Sequence, residues 1–172
     1  MRSLLIFALA LAQWFLPVGA LSAKTSNKEA AEKAAIERVI RASIGWALNK
    51  DKDLLYGSVA QDADFFIFHP DSKSTITGFE AFRKLVEGFF MNDAFKATGF
   101  EVKDLRIHLA KSGKVAWYSA LLDDFGEWQG KKTGWVDCRW TGVLEKRAKR
   151  WVIRQMHFSI ATDKVSEKKP AQ

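Results

Sequence analysis

The chain has 172 residues, of which 48% are hydrophobic, and this is enough to build a sizeable core. About 150 residues follow the N-terminal segment described below, which suits one compact domain. The formal charge is +7, but the basic excess lies partly in two Lys/Glu-rich ends and forms no stripe interleaved with aromatic residues, which argues against nucleic-acid binding.

The first residues are typical of a secretory signal peptide. One arginine precedes an apolar run over residues 4–16, and small residues follow it. The run is too short to span a bilayer, and its small-residue end suits cleavage after Ala20 or Ala23. We therefore expect residues 1–23 to be a signal peptide and the mature protein to be secreted or periplasmic, without a stable membrane anchor. An uncleaved anchor is the alternative.

Three helices are predicted in the first half of the mature chain. Residues 30–49 carry apolar side chains at helical spacing, a shorter helix starts at Asp51, and residues 79–90 form an amphipathic third helix. Between the second and third helices, the aromatic strand 64–69 ends at Pro70 and leads into a polar loop.

The second half of the chain is predicted to be strand. Residues 95–110 and 115–125 form one hairpin, and residues 135–160 form two more strands with a charged turn at 145–150. This order indicates an α+β fold, in which three N-terminal helices pack on a strongly curved antiparallel sheet. The helices should fill the concave face and leave a pocket at the open end of a cone. We assign this domain to residues 24–163 and expect residues 164–172 to be a disordered Lys/Glu-rich tail.

Several short segments, taken in order, resemble one superfamily over residues 34–161. They are Asp51-x-x-Leu54, His69-Pro70, Gly78-Phe-Glu-Ala-Phe, Lys114-Val-Ala116, Arg139-x-Thr141 and Trp151 through Ser159. The chain is similar to SnoaL-like domains of the nuclear transport factor 2-like (NTF2-like) superfamily, which includes ketosteroid isomerases and the association domain of calcium/calmodulin-dependent kinase. The resemblance implies the cystatin-like cone and, often, a dimer. It does not imply one reaction, because the superfamily includes enzymes and binding modules.

The catalytic groups of a steroid isomerase are not retained at the matching positions. The resemblance places its tyrosine at Ser43, its carboxylate base near Ile67 and its protonated acid near Trp140. An isomerase of that type is therefore not expected. His69 is the candidate catalytic residue, because it ends the first strand at the expected pocket mouth. It is either a general base or ligand partner, or a cap at the strand end before Pro70.

Other chemistries have little support in the sequence. His69, His108 and His157 lack metal-ligand spacing, and there is no phosphate-binding glycine loop, so we expect no metal and no cofactor. Cys138 is the single cysteine, which excludes an intramolecular disulfide. Its position in the middle of an aromatic strand favours a buried, inert thiol over a nucleophile.

One face of the strands is expected to line an apolar, aromatic cavity for a small hydrophobic molecule. A completely filled core is the alternative, since aromatic residues at strand spacing are common in cores. The predicted lining is Trp46, Ile67, His69, Phe82, Phe90, Tyr118, Leu122, Trp140, Met156 and Phe158.

The opposite face of the strands is expected to form the interface of a homodimer, because three tryptophans there would make a large exposed apolar patch. If the strand register is displaced by one residue, the two faces exchange and these residues line the pocket instead. The predicted interface is Trp117, Trp135, Arg139, Thr141, Trp151, Gln155 and His157.

Three functional hypotheses follow from the sequence. The first is an exported small-molecule-binding domain with an aromatic cavity. The second is an isomerase-, dehydratase- or cyclase-like enzyme in which His69, assisted by Tyr118, acts on a small hydrophobic substrate. The third is a structural module that dimerises through the Trp-rich sheet face.

Overall fold

The computed structural model describes residues 18–71 and 73–165. Most of the predicted signal peptide and most of the predicted tail lie outside the described residues. The first helix, α1 (Val18–Gly45), contains both predicted cleavage positions, and a short last helix, α4 (Thr162–Val165), contains the first two residues of the predicted tail. Among the described residues, no helix is both long and apolar enough to cross a membrane.

Three helical segments precede the long strands, as predicted. Helix α1 continues into a 3₁₀ turn (Trp46–Leu48), α2 spans Lys52–Ser58, and α3 spans Phe79–Leu85 before a π-helical turn (Val86–Phe90). The Asp51 carboxylate accepts a hydrogen bond of 2.9 Å from the Leu54 N–H, so it caps α2 at the predicted start.

Six strands form one sheet in the order β2-β1-β6-β5-β4-β3. They are β1 (Phe66–Phe68), β2 (Ile76–Thr77), β3 (Phe95–Leu109), β4 (Val115–Trp128), β5 (Lys131–Arg147) and β6 (Arg150–Ser159). The predicted α+β cone is confirmed. The sheet is mixed rather than wholly antiparallel, because β1 runs parallel to β6, and the short β2 lies where only a loop was predicted.

Helices α1 and α2 cover the concave face of the sheet. Tyr118, Trp140 and Leu144 project from β4 and β5 into a core that is completely closed to solvent around them. This close packing requires Gly142, since a Cβ atom there would lie 2.6 Å from both a Tyr118 ring carbon and the Gln155 carbonyl oxygen.

A bulge in β5 overturns the predicted orientation of Trp135. Leu122 pairs with Cys138 but Asp124 pairs with Trp135, so two residues of β5 lie opposite Asp123 alone. The alternation of side chains is interrupted there, and Trp135 turns to the inner face of the sheet. Its predicted place in the outer, dimer-forming face is therefore wrong.

A second bulge, in β6, overturns the predicted orientation of Trp151. Val143 pairs with Gln155 and Leu144 with Ile153, which leaves Arg154 as the extra residue. Trp151 consequently faces α1, is only 3% exposed, and donates a hydrogen bond of 2.7 Å from Nε1 to the Glu32 carboxylate. The prediction that Trp151 lies in the outer face is wrong.

The remaining residues of the predicted interface do lie on the convex face, so the exchanged register is wrong for this part of the sheet. Trp117 is 48% exposed and stacks on His108 at a centroid distance of 5.6 Å. Exposed with it on the same face are Arg139, Thr141, Gln155 and His157.

Candidate functional site

A cavity of about 580 Å³ opens at the end of the sheet where β4 turns into β5. The loop before β2, helix α3, the π-helical turn and the ends of β3, β4 and β5 all contribute to its wall. Its lining combines aromatic rings with two buried or half-buried titratable groups, the imidazole of His69 and the carboxylate of Asp124.

Aromatic rings form most of the apolar wall. The rings of Phe89, Phe90 and Phe95 pack around one another with centroid distances of 5.0–5.2 Å. Phe89 also stacks on Trp128 at 4.8 Å. The π-helical turn supplies two of these rings, and the first residue of β3 supplies the third. Such contacts hold the rings in fixed relative orientations, so this part of the wall is preformed.

His69 follows β1 and lies against two rings. Its imidazole stacks on Phe158 at 5.4 Å and lies 5.9 Å from the Trp135 ring. Burial lowers its pKa below the ordinary value of 6.5, although nearby Asp71 acts in the opposite direction. The imidazole is therefore neutral at neutral pH, with one nitrogen able to donate and the other able to accept a hydrogen bond.

Asp124 supplies the second polar group of the cavity. Burial raises the pKa of its carboxyl to about 6, and no other interaction contributes to that shift. Among residues 18–71 and 73–165, no hydrogen bond or ion pair reaches its side chain. A rise of about two pKa units corresponds to about 3 kcal/mol of lost solvation for the charged form. Lys73 also lines the cavity, but it is exposed and, in the described part of the chain, forms no ion pair with Asp124.

Asp124 was not among the residues predicted from the sequence. The available signal was the acidic pair at Asp123 and Asp124 within an otherwise apolar strand. Strand alternation places Asp124 on the same face as Tyr118 and Leu122, which are core residues, so a buried carboxylate could have been predicted there.

Of the ten residues predicted to line the pocket, the structure places two, His69 and Phe90, in the cavity wall. The other eight form the core behind it, and their predicted role as cavity lining is corrected. They are Trp46, Ile67, Phe82, Tyr118, Leu122, Trp140, Met156 and Phe158.

A column of rings explains why the predicted pocket is filled. The Tyr118 ring meets Trp140 edge-on at a centroid distance of 5.1 Å, and Trp140 stacks on Phe158 at 5.7 Å. The His69 imidazole in turn stacks on Phe158. His69 and Tyr118 are therefore at opposite ends of the column, and the predicted assistance of His69 by Tyr118 is wrong. Burial also raises the pKa of the Tyr118 hydroxyl well above 10, although the Trp140 indole opposes the shift.

The positions matched to isomerase groups and the single thiol are structural. Ser43, Ile67 and Trp140 are all buried, and the Ser43 hydroxyl donates a hydrogen bond of 2.8 Å to the Ile40 carbonyl oxygen.

Cys138 is buried, and its sulfur lies 3.5 Å from the Ser159 carbonyl oxygen. Burial raises the pKa of its thiol to about 11, which suits an inert thiol. Within the described part of the chain, no three His, Cys, Asp or Glu side chains are grouped so that they could hold a metal ion.

Comparison with known families identifies the domain. A family model described as a SnoaL-like domain matches residues 36–163. No curated protein matches the chain in sequence.

Three solved structures illustrate the fold similarity. An NTF2-like protein from Cytophaga hutchinsonii is 14% identical with a TM-score of 0.61, and the match covers 75% of this chain and 98% of that one. The association domain of C. elegans CaMKII is 18% identical with a TM-score of 0.58, covering 78% and 99%. A candidate ketosteroid isomerase from Shewanella frigidimarina is 19% identical with a TM-score of 0.56, covering 73% and 94%. At these identities the similarity shows a common NTF2-like fold.

Proposed function

The chain belongs to the SnoaL-like domain family, and we propose that it binds a small, largely apolar molecule in the cavity between His69 and the aromatic wall. The main support is the Asp124 carboxylate, which lies in that wall and, among the described residues, forms no ion pair with Lys73 or another cation. A ligand that donates a hydrogen bond or carries a positive charge would offset the cost of burying it.

The dimensions and chemistry of the cavity define the ligand further. A volume of about 580 Å³ is within the range of about 300–1,000 Å³ typical of small-molecule sites. The faces of Phe89, Phe90, Phe95 and Trp135 suit an aromatic or aliphatic body, and they also attract a cation through their negative faces. A small aromatic amine satisfies both features, because its ammonium group can pair with Asp124 while its ring packs against the wall.

Binding of a matched series of compounds tests this proposal. The series is 2-phenylethylamine, 2-phenylethanol and ethylbenzene, measured by calorimetry and by NMR shift changes at pH 7.5. We expect the amine to bind most tightly, and we expect Asp124→Asn to remove its advantage over the alcohol. Glu101→Gln, which neutralises an exposed carboxylate on β3, is the matched control and should retain the preference. Failure of all three compounds to shift the resonances of cavity residues would contradict the proposal.

An enzymatic function is the second candidate, and one observation favours it. The same cavity holds a carboxyl whose pKa burial raises to about 6 and an imidazole whose pKa burial lowers, so Asp124 can exchange a proton near neutral pH beside a neutral His69. In such an enzyme, ionised Asp124 would accept a proton from a small hydrophobic substrate and His69 would hydrogen-bond the group where charge develops. An isomerase-, dehydratase- or cyclase-like reaction fits these roles.

Turnover assays separate the enzyme from a pure binding domain. The enzymatic proposal expects His69→Ala and Asp124→Asn each to abolish turnover while both variants remain folded, as measured by circular dichroism. An inactive wild-type protein across a broad panel of small cyclic ketones and alcohols would count against catalysis and leave ligand binding as the function.

We further propose that the convex sheet face forms a homodimer. Trp117 and Phe68 expose about half of their surface there, and Arg139 and His157 provide polar groups around them. The similarity to the CaMKII association domain, a protein named for assembly, supports this reading. Sedimentation analysis should detect a dimer at micromolar concentration that Trp117→Glu dissociates. A wild-type monomer at high micromolar concentration would overturn the dimer, and with it the hypothesis that the chain is solely a dimerisation module.

Export remains a proposal based on residues 1–23, which have the pattern of a signal peptide. Expression of the full chain in a Gram-negative host, followed by cell fractionation and N-terminal sequencing, tests it. We expect a periplasmic product that begins at Leu21 or Lys24. A full-length product in the cytoplasm would contradict export.

A further inference from the structure

Three charged side chains form a cluster on the outer face of the sheet, directly behind the cavity. The Lys103 ammonium lies 2.8 Å from the Asp123 carboxylate and 2.6 Å from the Asp137 carboxylate. Asp123 is only 8% exposed. Its carboxylate also accepts a hydrogen bond of 2.7 Å from the backbone N–H of Asp137. One nearly buried carboxylate therefore binds both the lysine and the backbone of the neighbouring strand.

The cluster is located where two strands depart from regular geometry. Asp137 belongs to the β5 bulge and has a φ of 51°, in the left-handed region that costs a non-glycine residue about 1–2 kcal/mol. Asp104, which follows Lys103, has the same φ and belongs to a bulge in β3. The lysine thus connects two irregular backbone segments through Asp123, which projects from the strand between them.

The β5 bulge decides which side chains line the cavity. Counting back from the buried Cys138, regular alternation would turn Val136 inward and Trp135 outward. The structure has the opposite arrangement, in which Val136 is 56% exposed and the Trp135 ring packs on Phe158 at 5.4 Å. Trp135 then lies beside its strand partner Asp124 in the cavity wall.

We propose that Lys103, Asp123 and Asp137 are positioning residues for the cavity. They hold the β5 bulge, keep Trp135 turned inward beside Asp124, and so set the affinity of the site from its outer side. The effect on affinity rests on the proposed ligand-binding function, whereas the effect on Trp135 and Asp124 does not.

The alternative is that the cluster is an ordinary structural ion pair. Exposed ion pairs typically contribute less than about 1 kcal/mol, and their loss changes stability without reorganising a distant wall. Lys103→Met removes the ammonium and retains the aliphatic stem, Asp123→Ala removes both of the contacts that Asp123 makes, and Lys103→Arg is the conservative rescue. Arg83→Met, which breaks the exposed pair with Glu80, is the control for loss of an unrelated ion pair.

NMR of the full-length protein provides readouts that loss of stability alone would not change. In Lys103→Met, we expect the nuclear Overhauser contacts between the Trp135 and Phe158 rings to disappear and the titration midpoint of Asp124 to move from about 6 towards 3.8 as water enters. We also expect at least tenfold weaker binding of 2-phenylethylamine, with recovery in Lys103→Arg and no change in Arg83→Met.

Retention of the ring contacts and of the Asp124 titration in Lys103→Met would overturn the positioning role. If Asp123→Ala does not fold, the Lys103 variants decide the question. If 2-phenylethylamine does not bind even the wild-type protein, the ring contacts and the titration still test the positioning role separately from the proposed function.

Discussion

The inner face of the sheet contains a filled region and an open one, and strands β4 and β5 contribute residues to both. In the filled region the Trp140 ring packs edge-on against Tyr118 and stacks on Phe158. In the open region Trp135, Asp124 and His69 surround a cavity of about 580 Å³. The pairing of β4 with β5 is regular beside the packed rings and is interrupted at Asp123, beside the cavity. The difference between the regions follows the β5 bulge, which turns Trp135 inward beside Asp124.

The largest expected difference between the two regions is the loss in the free energy of unfolding when a tryptophan is replaced by alanine. Trp140→Ala should lower the free energy of unfolding by about 3–5 kcal/mol, because it leaves a void in a closed core. Trp135→Ala should cost about 1–2 kcal/mol, because part of that ring already faces open space. Urea unfolding of both variants measures the difference. Equal costs would show that the cavity end is packed as tightly as the core.

A methyl group at Gly142 should be almost as disruptive. A Cβ atom would meet a backbone oxygen and the Tyr118 ring at 2.6 Å, so we expect Gly142→Ala to cost about 3 kcal/mol. Gly57→Ala is the matched control, because it has open space in α2 and should stabilise the helix by about 0.5–1 kcal/mol. A neutral effect of Gly142→Ala in urea unfolding would contradict the close packing of the stacked rings.

The open region should gain stability when its carboxylate is neutralised. The folded-state pKa of Asp124 is about 6 and the unfolded value is 3.8, so ionisation penalises the folded protein above pH 6, and the penalty disappears as the pH falls towards 4. We expect Asp124→Asn to raise the free energy of unfolding by up to about 3 kcal/mol at pH 8 and to have little effect at pH 4. Thermal unfolding across this range, with Glu101→Gln as the control, provides the test. Destabilisation by Asp124→Asn at pH 8 would mean that the carboxylate has a partner in the protein.

The smallest expected effect is on the reactivity of the Cys138 thiol, which lies on β5 between the two regions. Because burial raises the pKa of Cys138 to about 11, the folded protein should not react with a disulfide reagent at pH 8. Denaturant should expose one reactive thiol per chain. Rapid labelling of the folded protein would show that the sheet opens at Cys138.

The sequence was sufficient for the fold and insufficient for the site, and the bulges explain the difference. Hydrophobic periodicity and the order of matching segments depend on many residues, so they survive local irregularities. The face of Trp135 depends on one backbone conformation at Asp137, and that of Trp151 on one extra residue, Arg154. Gly134 precedes Trp135 beside the β5 bulge, but neither bulge contains a glycine or a proline among its own extra residues. Strict alternation therefore assigned both tryptophans to the wrong face. Strand alternation places Asp124 on the core face, but its raised pKa and its position in a cavity wall depend on tertiary surroundings that the sequence does not give.

The titration of Asp124 tests the central claim most directly. Carbon-13 NMR of the Asp124 carboxyl, with Asp124→Asn used for assignment, should give a midpoint near pH 6 in the free protein. Saturation with 2-phenylethylamine should lower that midpoint, because the bound ammonium favours the ionised carboxylate. A free-protein midpoint near 3.8 that the amine does not change would contradict the claim that Asp124 is buried without an ion pair in a ligand-binding cavity.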